Sequence, residues 1–118
     1  IPFSTYMQFL IIDGEKTATT RTRKYGKIGD VFTIHGKQFV ITNIIKLPLA
    51  IIVDRYFREE GFSCVESFIE FWKILHRKRG YEPDRLVYFH QFVDETSFRC
   101  IEAFKEFWQK GHLEKNTS

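Results

Sequence analysis

The sequence predicts a mixed α+β domain with one hydrophobic core. Helix-like and strand-like hydrophobic spacings succeed one another without regular β-α-β alternation, and Gly-containing turn pairs separate the strand-like runs. At 118 residues the chain suits a single domain, one that buries about two-thirds of its unfolded surface. A hydrophobic content of 43% excludes intrinsic disorder. The longest apolar run, Leu47 to Val53, contains Pro48 and falls well short of the roughly 18 residues of a membrane span, so no membrane association is expected. No basic-then-apolar leader is evident, so neither a signal nor a transit peptide is expected.

Ser4 or Thr5 can cap a first helix through Tyr6, Phe9 and Leu10 that stops at Gly14. Thr17 to Thr22 is rich in β-branched residues and reads as a strand. Turn chemistry at Tyr25-Gly26 and Gly29-Asp30 separates it from a second strand, Val31 to Ile34. His35-Gly36 then predicts a two-residue hairpin into a third strand from Gln38 to Thr42, which makes three strands adjacent. Pro48 suits the first turn of a helix through Leu49, Ile52, Val53, Tyr56 and Phe57, ended by Gly61. Glu59 and Glu60 fall in its last turn, the unfavourable end of the helix dipole for a carboxylate, which points to another reason for at least one of them. The pattern Ser63-x-x-Glu66 predicts a capping box, followed by Val65, Phe68, Phe71, Trp72 and Leu75 at helical spacing and a basic end from His76 to Arg79. Leu86 to Phe92 reads as a further strand.

The C-terminal part repeats an earlier one. Residues 62–72 and 98–108 share seven identities in eleven positions at an offset of 36, in the pattern Phe-x-Cys-x-Glu-x-Phe-x-Glu-Phe-Trp. One repeated helix is too little for a solenoid, which needs about three stacked units. The reading is a domain over 1–93 and an added amphipathic helix and tail over 94–118, whose Phe104, Phe107 and Trp108 either cover the sheet or form a homodimer contact.

Charge is modest in total but uneven. The net charge is +3, from 18 Lys and Arg against 15 Asp and Glu. Five basic residues lie between Lys16 and Lys27 with no acidic one among them, whereas Asp54, Glu59, Glu60, Glu66 and Glu70 cluster further on. Cys64 and Cys100 lack metal-ligand spacing and read as reduced thiols of a cytoplasmic protein, with no metal or cofactor expected. The segment Gly14-Glu15-Lys16-Thr17-Ala18-Thr19-Thr20-Arg21 concentrates the reactive side chains. Strand alternation places Thr17, Thr19 and Arg21 on one face, with Ala18 and Thr20 on the other. It fails the phosphate-binding-loop pattern, and a charged stretch of this kind also reads as a solvated edge strand.

Gly14-x-Lys16-x-x-x-x-Arg21 resembles the signature of ASCH domains, which are similar to PUA domains in having a small β-barrel with a helix-lined cleft. Where the family typically has Glu, three positions after the Lys, this chain has Thr19. Lys16-Thr17-Ala18-Thr19-Thr20-Arg21 is similar to the Lys-Thr-x-Thr-x-Arg of the branch described as N4-acetylcytidine amidohydrolases. The resemblance continues through Gly29-Asp30 and Glu60-Gly61-Phe62 to Trp72 and the strand at Val87 to Phe92. It implies a small PUA-like β-barrel flanked by helices, with the C-terminal helix as an addition.

Carried over, the resemblance makes Lys16 the nucleophile or base, Thr19 its hydroxyl partner and Glu60 the acid/base group. Two functions follow. One is a binding module whose basic cleft, with Thr17, Arg21, Arg23, Lys24, Tyr25 and Lys27, holds RNA or a nucleotide-derived ligand, Tyr88 and His90 sharing a strand face that lines the same cleft. The other is an amidohydrolase acting on a modified nucleoside, an N4-acylated cytidine, through Lys16, Thr19 and Glu60. A partner-binding domain using an exposed Phe104/Trp108 patch is a third. The first two differ in whether the Lys16 amine and the Glu60 carboxylate meet in one closed pocket or lie apart on an open, arginine-lined groove.

Overall fold

The computed structural model describes residues 2–117, with side chains through Phe107. Four helices, α1 (Thr5–Ile12), α2 (Leu49–Tyr56), α3 (Val65–Leu75) and α4 (Glu95–Thr117), surround four strands, β1 (Ala18–Arg21), β2 (Val31–Ile34), β3 (Lys37–Pro48) and β4 (Leu86–Asp94). The strands form one antiparallel sheet in the order β1-β4-β3-β2, curled as a half-barrel. The α+β class therefore holds, while the three sequential strands are not three neighbours. β4, far along the chain, inserts between β1 and β3. Turn chemistry specifies only the local hairpin between β2 and β3, where His35 and Gly36 both take positive φ (49° and 79°).

β3, at 12 residues, is more than twice the expected length, because a change of side-chain period midway hides its second half from the sequence. A bulge between Ile41 and Asn43 shifts its register on β4. Before the bulge, Phe39 and Ile41 share a face with Phe92; beyond it, Leu47 pairs with Val87 on the opposite face. The interruption hides the second half of the strand from a simple alternation test. It also lets one strand serve two cores.

Those cores lie on the two faces of the sheet. One joins Ala18, Val87 and Phe89 to Leu49, Ile52 and Val53 of α2 and to Phe68 and Trp72 of α3. The other gathers Ile34, Phe39 and Phe92 against Ile11 of α1, with Phe3 and Phe32 alongside. Much of the aromatic excess is consumed in this packing, including the Phe32–Phe92 edge contact at 5.2 Å and the Tyr56–Phe89 stack at 4.6 Å.

Helix ends depart from expectation in two places. Ser4 caps α1 through a bond from Met7 N (3.3 Å), as the sequence suggests. The capping box on α3 does not form. Its N-cap is Cys64, not Ser63, so Glu66 falls at the second helical position, too early to reach back, and Cys64 Sγ meets Ser67 Oγ instead (3.1 Å). The stack of Phe62 on Phe68 (4.8 Å between centroids) fixes the chain's approach to the helix. α2 ends at Tyr56, so Glu59 and Glu60 lie in the turn beyond it rather than in its last turn.

Asp94 Oδ1 accepts from the backbone N–H groups of Thr96 and Ser97 and opens α4. Phe98 and Ile101 face Val40 and Val93 of the sheet. The repeated motif then meets a different fate in its two copies. Phe68 is 2% exposed, its counterpart Phe104 is 65% exposed and Phe107 is 75% exposed; the Trp108 side chain lies outside the described residues. No helix among the described residues is long and apolar enough to cross a membrane.

The two copies give a direct comparison of burial at closely similar sequence. Phe68→Ala is expected to destabilise the fold by about 3–5 kcal/mol, and Phe104→Ala by no more than about 0.5 kcal/mol, read from urea unfolding midpoints of the monomeric protein. Equal losses would show that the α4 copy is also buried in solution.

Candidate functional site

The site begins where α1 hands over to β1. The Leu10 carbonyl accepts from both Glu15 N (2.9 Å) and Lys16 N (3.0 Å), which fixes the backbone at Lys16. On the other side, the Glu59 carbonyl accepts from Thr17 N (2.7 Å) and Ala18 N (3.0 Å), docking the turn after α2 against the start of β1. Gly61 completes that turn with φ +96°, and a Cβ there would lie 3.0 Å from Leu10 Cδ1 and 3.4 Å from Lys16 Cβ. Only glycine suits both the backbone and the space.

These contacts bring two charges together inside the protein. Lys16 is 3% exposed and Glu60 3%. Lys16 Nζ donates to Glu60 Oε2 at 3.0 Å and to the Glu60 backbone carbonyl at 3.0 Å. Thr20 Oγ1 donates to the other carboxylate oxygen, Oε1. Glu60 is thus held at both oxygens, which explains a carboxylate beyond the C-terminal end of a helix.

The pair forms the floor of a cleft of about 290 Å³, near the lower end of the range for small-ligand pockets. β1 is an edge strand, and the cleft wraps around its free side: Thr20 lines it from one face, Thr19 and Arg21 from the other. Phe3 and Met7 line it as well. The facing wall is aromatic, formed by Phe62, Phe68, Phe71 and Trp72. Trp72 Nε1 is buried without a hydrogen-bond partner among the described residues, an unmet donor that costs about 1–3 kcal/mol unless a ligand acceptor satisfies it.

Arg21 is the ordered cation of the rim. Its Nε donates to Thr19 Oγ1 (3.3 Å) and its Nη2 to the Pro2 carbonyl (2.6 Å), with the guanidinium between the rings of Phe3 (5.2 Å) and Tyr25 (5.6 Å). Burial draws its pKa below the usual value, opposed by Tyr25 and Glu60. Arg23 donates to Tyr25 Oη (3.3 Å) and so holds the phenol below its ordinary range.

Of the residues singled out in the sequence, Lys16, Thr19, Arg21, Tyr25 and Glu60 line the cleft. Among the described residues Thr19 makes no hydrogen bond to Lys16 or Glu60; the hydroxyl at the ion pair belongs to Thr20. Strand parity carried that signal, since Lys16, Ala18 and Thr20 alternate onto one side. Arg23 reaches the rim only through Tyr25, whereas Thr17, Lys24 and Lys27 are exposed outside the cleft. Tyr88 and His90 do not line it either. Tyr88 lies across from Arg21 in the sheet, with Lys46 over its ring (5.6 Å). His90 is completely buried and acts as a tie: Nε2 accepts from Tyr25 N (3.0 Å), so Nδ1 carries the proton toward the Thr19 carbonyl (3.3 Å). The α3 wall of the cleft was absent from the expected site because its aromatic stripe reads first as core. No cluster of His, Cys, Asp or Glu suited to a metal is present among the described residues.

Two solved structures share this arrangement of helices and sheet. An ASCH domain from Lactobacillus crispatus superposes with a TM-score of 0.54 at 16% identity, covering 80% of this chain and 76% of that one. The fold is that of an ASCH domain. A DUF984 protein from Enterococcus faecalis superposes on the same ASCH fold with a TM-score of 0.57 at 21% identity, covering 75% of this chain and 69% of that one. No family model and no curated protein matches the sequence. In this ASCH fold the cleft lies against the edge of the curled sheet, between β1 and α3.

Two tests address the site's architecture. Lys16→Met leaves a buried carboxylate without its cation and is expected to cost about 3–5 kcal/mol; Lys16→Met with Glu60→Gln is expected to cost clearly less than the two single changes summed. Additive costs in a double-mutant cycle would show that the two groups do not interact. Separately, burial lowers the His90 pKa from the ordinary 6.5, because the charged ring is disfavoured and would lose the Tyr25 bond. The unfolded chain therefore binds a proton first as pH falls. This contribution to stability is complete above the unfolded value of 6.5 and is lost as pH falls toward the depressed folded value. His90→Gln is expected to flatten that limb of the stability profile between about pH 7.5 and about pH 5.5, measured by denaturant midpoints.

Proposed function

We propose that this cleft hydrolyses an acyl amide on the exocyclic amine of a nucleobase, with an N4-acylated cytidine as the substrate class. The convergence of the Lys16 amine and the Glu60 carboxylate at 3.0 Å in one buried, half-enclosed cleft carries this reading over an open, arginine-lined groove. The aromatic wall suits the flat face of a base. A pocket of about 290 Å³ admits one small ligand rather than a length of folded RNA.

The chemistry follows from the charges as they stand. A lysine nucleophile would finish as an Nζ-acyl lysine, an amide as stable as the one broken. Glu60 is therefore assigned the general base: it takes a proton from water, and the water oxygen bonds to the acyl carbon. The Lys16 ammonium faces the oxygen that gains negative charge, in a site with little water to screen it. The tetrahedral intermediate collapses by breaking its bond to nitrogen, and the proton held by Glu60 passes to the leaving amine. The products are a carboxylic acid and the free aminopyrimidine. Thr20, bonded to Glu60, positions the carboxylate. Thr19 acts one step away by holding Arg21 at the rim.

A binding role for RNA or a nucleotide is the second reading, favoured by the ordered Arg21, Arg23 and Tyr25 cluster at the opening. Incubation with N4-acetylcytidine separates the two. Release of acetate and cytidine is expected, with kcat/KM lowered by about 10²–10⁴-fold in Glu60→Gln and Lys16→Met proteins shown to be folded by circular dichroism. The loss in Thr20→Val should be smaller. Turnover that survives both charge-removing changes would sink the assignment.

A further inference from the structure

We infer that the cleft continues into a phosphate-binding groove, so that the ligand is a phosphorylated nucleoside rather than a free one. This rests on the nucleobase reading above and adds the ligand's second half. Beyond the cleft, the C-terminal turn of α3 and the segment before β4 enclose a more open groove of about 500 Å³. Thr22, Leu75 and His76 line both spaces, which makes them contiguous. A molecule with its base on the aromatic wall can extend past His76 without leaving the surface.

The groove carries one sign of charge. Arg77, Lys78, Arg79 and Arg85 line it and no carboxylate does. Arg79 is committed to Glu82 through two bonds (2.6 and 3.1 Å). Arg77, Lys78 and Arg85 form no ion pair among the described residues. A helix C-terminus carries only about half a negative charge, so three free cations exceed what complementing α3 requires. Arginine offers the paired N–H groups that match phosphate oxygens, and the Thr22 hydroxyl adds a neutral donor.

The groove is also built rather than merely charged. Gly80, at φ +66°, closes the basic turn with a bond from its N–H to the His76 carbonyl (2.7 Å). His76 stacks on Trp72 at 4.0 Å, and its Nδ1 lies 3.1 Å from the Trp72 carbonyl. That carbonyl can only accept, so Nδ1 carries the proton and Nε2 is left for a ligand. His76 thus joins the wall that receives a base to the turn that receives a phosphate.

The shared chemistry is a phosphate ester on the nucleoside, whether in a mononucleotide or in a short single strand. Calorimetric titration of the whole chain with cytidine, cytidine 5′- and 3′-monophosphate and a cytidine trinucleotide tests it. At least one monophosphate is expected to bind about 10- to 100-fold more tightly than cytidine, as charge-assisted bonds imply. Arg77→Ala combined with Arg85→Ala should remove that advantage and leave cytidine affinity unchanged, and added salt should weaken the monophosphate only. A trinucleotide tighter than both monophosphates identifies a strand as the source, and equal affinity identifies the mononucleotide. Equal affinity for cytidine and both monophosphates, an advantage retained in the double variant, or no nucleotide binding at all overturns the inference. Turnover of acetylcytidine without any phosphate preference removes the groove and keeps the hydrolase; a phosphate preference without turnover removes the hydrolase and keeps the groove.

Discussion

The contact between Lys16 and Glu60, 44 residues apart in sequence, organises this molecule. Burying two opposite charges costs several kcal/mol per ion before their attraction and added hydrogen bonds offset it, so the pair persists only where its surroundings complete the bonding. Here they do. The Glu60 backbone carbonyl and the Thr20 hydroxyl complete the network, and the Glu59 carbonyl ties down the two amides that follow Lys16. Leu10 holds the Lys16 backbone from α1, while Gly61 allows the Glu60 turn to approach. The ion pair therefore sits where α1, β1 and the turn joining α2 to α3 are already tied by backbone hydrogen bonds.

Placing this pair at a sheet edge has a chemical consequence. A charge pair in the middle of a sheet would be covered on both faces and closed to ligands. β1 pairs only with β4, so its outer side is free, and the cleft wraps it to expose residues of both faces. An unpaired edge normally invites another strand. In this molecule the edge is short and charged, and α3 and the N-terminal residues around Phe3 flank the cleft beside it. Burial sufficient to strengthen electrostatics thus coexists with access.

Local signals in the sequence located most of this. The Ser4 cap, the His35-Gly36 hairpin, the β1 segment and the aromatic stripe of α3 each depend on neighbours within a few residues, and each was legible. What failed was non-local. The insertion of β4 between β1 and β3 depends on pairing across most of the chain, and the β3 bulge reverses the alternation by which a strand is recognised. Phe62 stacked on Phe68 sets where α3 begins, a contact the Ser63-x-x-Glu66 pattern does not contain. At the site, Lys16 and Glu60 were found through motif resemblance together with the oddity of a carboxylate near a helix end. The resemblance points to Thr19, whereas Thr20, on the opposite face of the strand, has the parity to meet Glu60. His90 reads as a cleft residue from its strand face alone, which does not reveal the loop at Tyr25 that covers it.

The repeated Phe-x-Cys-x-Glu-x-Phe-x-Glu-Phe-Trp segment shows why such misreadings arise and what they imply for the site. Composition is nearly constant between the copies, yet one places Phe68 and Trp72 in the core and the other leaves Phe104 and Phe107 in solvent. What differs is the partner surface: α2 and the sheet for one copy and, among the described residues, β3 and β4 near Val40 and Val93 for the other. Phe68 and Trp72 also line the cleft, so the residues that stabilise the fold are the residues that shape its aromatic wall. Stability and recognition are therefore not separable on α3. The basic turn that follows it is exposed and outside both cores, which leaves it free to change without loss of the fold. If the proposed groove takes a phosphate, its preference has the freest room for variation there, beside a wall and a charge pair that packing keeps constant.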